Sequence, residues 1–270
     1  MAIGKTRLAL YALYALSLVC MLLVPVASAN DSGLSDAEAV NVAGRQRMLI
    51  QRMVLSYAEI GQGVDTANAR ERRENAVARF QDQLTALEAY TRGSDAAEAF
   101  ARVAERWAPF RVAVTAEPKA AAVQRLLELE APLLASAEAL VKALEEAHGH
   151  ALAHLVNVSG RQRMLSQRVA KYYLIEAWGT RTEAIREALE TATAEFRAGL
   201  EELLDAPQTD PELREQLRRL DDGWYAFEKM LALEEGEYAP LLATTLAERI
   251  LDSAEKVTAL YAQRLEGASS

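Results

Sequence analysis

The 270-residue chain holds one cysteine, Cys20, three histidines, seven prolines and 13 glycines, and only 6% of it is aromatic. A single cysteine excludes a disulfide framework and a cysteine-built zinc site. Three histidines do not furnish a multi-histidine catalytic metal centre. So few helix breakers, among abundant Ala, Leu, Glu and Arg, point to an all-α chain. Positive charge is also short: 30 basic residues face 39 acidic ones, for a formal charge of -9. That balance argues against a nucleic-acid partner. The chain is nonetheless 51% hydrophobic, enough for a sizeable core, which excludes disorder. No nucleophile–base pair, phosphate-binding glycine loop or paired-carboxylate motif is visible. The reading is non-enzymatic, with no cofactor.

Long apolar runs are absent except at the N-terminus. Lys5 and Arg7 precede the run Leu8 to Val26, and Ala27-Ser28-Ala29 has the small-x-small form of a signal-peptidase site. Residues 1–29 read as an export signal, leaving a periplasmic protein. The alternative is an uncleaved anchor in the inner membrane, since the run is long enough to span.

The strongest signal is an internal repeat. Asn41 to Met53 reads NVAGRQRMLIQRM, and Asn157 to Val169 reads NVSGRQRMLSQRV, with ten of 13 positions identical at an offset of 116. Phe80 matches Phe196 at the same offset; Trp107, Phe110 and Ser136-Ala137-Glu138 match Trp224, Phe227 and Ser253-Ala254-Glu255 at 117. Two modules, 30–148 and 149–270, follow. Each divides at Gly, Pro and Ser clusters into four helical segments: Ser35–Ile60, Thr66–Tyr90, Asp95–Thr115 and Lys119–His148, then His150–Trp178, Arg181–Leu204, Pro211–Leu233 and Pro240–Leu265. The expected architecture is two tandem up-down four-helix bundles. Pro109 and Pro132 should kink their helices. With only Gly149 between the modules, the last helix of the first should run almost directly into the next. The recurring aromatics read as core.

On a helical wheel, Val42, Leu49, Met53, Tyr57 and Ile60 form an apolar stripe. Gly44, Arg47, Met48 and Gln51 cluster on the opposite face, as do Gly160, Arg163, Met164 and Gln167 in the second copy. A mid-helix glycine costs about 1 kcal/mol against alanine, so Gly44 marks a contact face that admits a neighbouring backbone. No acid lies between Glu38 and Glu59, or between Glu146 and Glu176, so these stretches are cationic islands in an acidic chain. Cations packed at a helix junction without acidic partners are costly unless an anion or solvent compensates them, and guanidinium suits a small planar oxyanion. Arg45, Arg52, Arg161 and Arg168 flank the core stripe; they read as a secondary basic set, solvated or paired with acids from other helices. Glu146, His150 and His154 share a helical face, but read as surface rather than as a metal site.

The motif N-x-A/S-G-x-x-R-M-x-x-Q-R at the head of an exported helical bundle resembles the PilJ-type domain. That is the N-terminal sensor domain of type IV pilus methyl-accepting chemotaxis transducers. It is similar, more distantly, to the periplasmic domain of the NarX/NarQ nitrate sensors, where the arginine of A-G-x-x-R-M binds nitrate or nitrite between two first helices of a dimer. The resemblance implies that Arg47 and Arg163 bind a small anion, nitrate or nitrite first, and that Gly44 and Gly160 line the same face. Full-length members add a second membrane helix and a signalling domain. The chain is therefore expected to relay through a separate membrane sensor or chemotaxis-type partner. Duplication lets one chain supply both arginines to one anion; the alternative is a homodimer. A second functional class stays open: a structural or interaction protein of the envelope whose Gly/Arg faces bind a helical partner.

Overall fold

The computed structural model describes residues 33–148, 151–233 and 238–269. The export signal, His150, and the breaks at Gly149 and Glu235-Gly236 lie outside the described residues. The chain is all-α in the described residues: α1 (Asp36–Gln62), α2 (Thr66–Thr91), α3 (Ala97–Thr115), α4 (Val123–His148), α5 (Ala151–Ala177), α6 (Glu183–Asp205), α7 (Pro211–Leu231) and α8 (Pro240–Ser269), with a single 3-10 turn, Ala120–Ala122, before α4. Their bounds depart little from the sequence reading because the capping chemistry is local. Ser35 accepts from the Glu38 amide while Glu38 accepts from the Ser35 amide, closing a capping box that starts α1. Gly63 ends that helix in the left-handed region, at φ 73°. Asp210 caps α7 and Pro211 is its first residue. Helices α3 and α4 continue through Pro109 and Pro132. Both prolines lie on exposed faces, where water can meet the carbonyls that lose a donor.

Each repeat closes into a ring of four helices, α1–α2–α3–α4 and α5–α6–α7–α8. Two stacked pairs anchor them: Phe80 on Trp107 at 4.1 Å between centroids, and Phe196 on Trp224 at 3.7 Å. These aromatics are core, as their spacing implies.

The rings do not stand apart. Residues from Ser32 to Ser270 form one compact unit, and its most extensive helix pairing is α1 with α5. Gln62 donates to the Leu174 carbonyl at 3.0 Å, and the Tyr57 ring sits 6.2 Å from that of Trp178. Equivalent stretches therefore lie side by side and parallel, as two protomers do about a two-fold axis. The pairing changes the burial expected of α1. It is buried almost all round, from Ala37 to Ile60, rather than along one stripe, because α2 and α4 cover one side and α5 the other.

The junction between repeats also differs from the direct run expected there. Helix α4 contacts α5 through Glu145–His154, Glu138–Arg161 and Glu130–Lys171. Contacts that widen in sequence by matched steps mean antiparallel helices, so α5 folds back along α4. That reversal carries the second module round to place α5 against α1.

A buried arginine pair between the first helices

The Gly/Arg faces of α1 and α5 meet each other. Arg47 and Arg163 are both fully buried, unusual for a residue that keeps its charge. The glycines make the space. A methyl group at Gly44 would lie 3.4 Å from one terminal nitrogen of Arg47 and 3.5 Å from one of Arg163. At Gly160 the same two nitrogens would lie 3.8 and 3.1 Å away. What the glycines admit is thus guanidinium, not the neighbouring backbone that the sequence suggested. Two like charges, one from each repeat, converge on one point.

Acids from the fourth helices meet them. Arg47 Nη1 donates to Glu138 Oε2 at 2.6 Å, and Arg163 Nη1 to Glu255 Oε2 at 3.1 Å. Each glutamate also takes an arginine of the other repeat: Arg161 reaches Glu138 at 2.6 Å, and Arg45 reaches Glu255 at 2.7 Å. Four guanidinium groups thus share two carboxylates, leaving the cluster cationic. The cationic islands are real along α1 and α5, but their counter-charges come from α4 and α8, over 90 residues away for the two within-repeat bonds.

Burial depresses the Arg47 pKa, with Glu138 opposing and Arg161 adding to the fall. Burial also takes Arg163 down to about 10, against the pull of Glu255 and with the help of Arg45 and Arg47. Arg163 stays protonated at neutral pH. At Glu138, burial favours the neutral acid, but Arg47 and Arg161 outweigh it and hold the carboxyl below its ordinary range.

The repeats are not identical around this pair. Arg47 Nη2 donates to Asn157 Oδ1 at 2.8 Å, and Asn157 Nδ2 donates to Glu145 at 2.7 Å. Glu145 also faces His154 Nδ1 at 3.1 Å, whose Nε2 faces Glu202 at 2.7 Å. Arg163 Nη2 finds only the Asn41 carbonyl, at 3.4 Å. Nε of both arginines is buried without an acceptor. Gln51 and Gln167 are fully buried one turn further on; Gln167 donates to the Ala247 carbonyl at 3.4 Å, and the Gln51 amide has no partner among the described residues. The structure gives neither glutamine a bond to the arginines. Of the remaining basic set, Arg52 pairs with Glu248 at 2.6 Å and Arg168 approaches Glu195 at 3.8 Å. All four secondary arginines thus meet acids of other helices. No group of three metal-ligating side chains is found among the described residues.

Sequence reasoning assigned no role to Glu138, Glu255, Asn157 or Glu145, and read His154 as surface. A signal existed for the first two, since Ser-Ala-Glu recurs at 136–138 and 253–255 in the same register as the aromatics.

With this geometry in view, the comparison with known families is specific. The family model described as type IV pili methyl-accepting chemotaxis transducer N-term, PilJ, matches residues 29–130 and 149–257. The chain belongs to the PilJ family. It carries two tandem copies of that sensory, signal-transduction module, and each copy contributes one arginine to the buried pair. No curated protein matches the chain, and no solved structure does.

A second buried charge pair joins the PilJ modules. Lys171 donates to both oxygens of Glu130, at 2.7 and 2.9 Å, with both side chains almost wholly buried. At the equivalent positions the other copy has Leu55 and Ala247, also buried. Removing one partner strands the other charge. Lys171→Leu is expected to lower the unfolding free energy by about 3–5 kcal/mol, and adding Glu130→Ala to recover most of it. Urea denaturation of both variants checks this; a double variant no more stable than the single contradicts it.

His154 supplies a pH dependence. Burial works against its charged form, but hydrogen bonds and charge from Glu202 and Glu145 prevail and raise its pKa above 6.5. The raised value means His154 stabilises the fold fully below pH 6.5 and ceases to do so as pH rises through its folded pKa. The stability gap between wild type and His154→Ala should be widest in acid and close in alkali, read from melting midpoints across pH. A gap that widens with pH contradicts the assignment.

Proposed function

We propose that the chain is an exported sensory protein that binds one small oxyanion, nitrate or nitrite first, between Arg47 and Arg163, and relays occupancy to a membrane-bound partner. The observation that supports this most directly is the convergence of two fully buried guanidinium groups, from equivalent positions of two sensory modules, on one point beside two glycines. Glu138 and Glu255 offset their mutual repulsion only in part, because each is shared with a second arginine. A planar monoanion offers acceptors in one plane to the paired donors of both guanidiniums, and its charge relieves the repulsion. Gly44 and Gly160 keep the space open, while Gln51 and Gln167 extend the polar seam. Arg45, Arg52, Arg161 and Arg168 add positive potential around it.

Drawing the two arginines together biases the position of α1 against α5. Small helix shifts at such an interface are a known way for bundles to transmit a bound state. Family membership supports export and a chemotaxis-type partner. A single chain supplies both halves of the site, so the reading needs no homodimer.

The ion pairs favour a second reading. With Glu138 and Glu255 already on the arginines, the seam also serves as a polar joint holding two modules of a non-enzymatic envelope protein, with partners recognised elsewhere on the helices.

Thermal melting against nitrate, nitrite and chloride at constant ionic strength separates the two. At a hundredfold excess over its dissociation constant, a ligand adds about 2.7 kcal/mol of stability. The sensor reading predicts a selective rise in midpoint, abolished by either Arg47→Ala or Arg163→Ala. If each variant keeps a half-strength response, the single shared site is wrong. A flat response across all three anions favours the polar joint.

A further inference from the structure

The two carboxylates that close the arginine pair are not equally placed. Glu138 holds Arg47 at 2.6 Å, and Arg47 is held again by Asn157 at 2.8 Å. Glu255 holds Arg163 at 3.1 Å, and the other terminal nitrogen of Arg163 reaches only a backbone carbonyl at 3.4 Å. Arg163 is therefore the more weakly satisfied cation, and Glu255 the more easily displaced partner. Glu255 has a second, firmer attachment, to Arg45 at 2.7 Å.

Glu255 also forms part of the wall of an open groove. The groove, of about 660 Å³, lies between α1, α2 and α8, with Arg45, Arg52, Arg72 and Arg79 along it. Its arginines equal its acids in number. The equivalent groove beside Glu138, between α4, α5 and α6, holds about 430 Å³, and there Glu195 stands where the first has Arg79. Acids outnumber arginines in that one. An anion approaching the protein meets less repulsion on the Glu255 side.

We propose that Glu255 is the gate of the anion site: an oxyanion entering through the α1–α2–α8 groove displaces its carboxylate from Arg163, and the carboxylate stays on Arg45. This rests on the anion-binding reading above and adds the route and the competitor. A carboxylate offers guanidinium the same acceptor chemistry as a small oxyanion. Glu255 therefore stands in for the ligand when none is bound and sets the threshold that a ligand must exceed. Weak acceptors such as chloride fail against it. The Glu255 side chain is 27% exposed, so its carboxylate moves toward solvent without crossing the core.

Isothermal titration of the purified full chain with nitrate tests this. Wild type is compared with Glu255→Gln, Glu255→Asp, Glu138→Gln and Asp252→Asn. Glu255→Gln removes the competing charge, whereas Glu255→Asp keeps the charge but withdraws it, which guards against loss of fold. Asp252→Asn removes the same charge from the same groove without touching Arg163. Both Glu255 variants should tighten nitrate binding roughly tenfold, the worth of one charge-assisted hydrogen bond. Asp252→Asn should stay within about threefold, the scale of a surface charge effect, and Glu138→Gln should tighten binding less than either Glu255 variant because Asn157 still holds Arg47. Glu255→Gln should also melt below wild type without anion and regain its midpoint with nitrate. If wild type binds nitrate and the Glu255 variants bind no tighter, or all four variants tighten alike, the gate is overturned and the anion site survives. If neither wild type nor any variant binds nitrate, both fall.

Discussion

Arg47 and Arg163 carry like charges into the same solvent-free space, and the arrangement around them answers that repulsion. Burying one guanidinium is costly; burying two against each other is tolerable only with counter-charge and donors well placed. Glu138 and Glu255 supply that charge, and each also holds an arginine from the opposite repeat. The carboxylates that partly compensate the centre are thus the same ones that tie α1 to α8 and α5 to α4. Charge compensation and module docking are one interaction. Surface ion pairs are worth little singly, but these sit at the rim of a buried cluster and share partners.

The duplication gives the molecule the form of a two-fold dimer within one chain, and its departures from symmetry are where the repeats have diverged in chemistry. Arg47 is linked through Asn157 and Glu145 to His154; Arg163 has no comparable chain. Glu130 and Lys171 form a buried ion pair where the other copy has Leu55 and Ala247. A homodimer cannot differentiate its halves in this way. A fused pair can make one arginine firmly held and the other available, and can give one face a proton-sensitive histidine.

Much of this is legible in the amino-acid sequence. Helix bounds follow from local chemistry, so the Gly, Pro and Ser breaks placed most ends within a residue or two. The repeat exposed the paired arginines because equivalent residues at an offset of 116 must occupy equivalent places. Two things were not legible. One was the direction of α5, which depends on whether a short junction continues or reverses, and Gly149 alone does not decide that. The other was the source of counter-charge. Nothing near Arg47 in sequence announces Glu138, since the two meet only when α4 packs on α1. The glycines carried the right message, a close approach, but the approaching group was a side chain because two arginines compete for the same gap.

The account turns on whether both arginines serve one ligand. Calorimetric titration of the monomeric chain with nitrate, scored for stoichiometry, addresses that directly. One nitrate per chain is the predicted result, since both guanidiniums converge on one point. Two per chain, or one only after the chain dimerises, would contradict it.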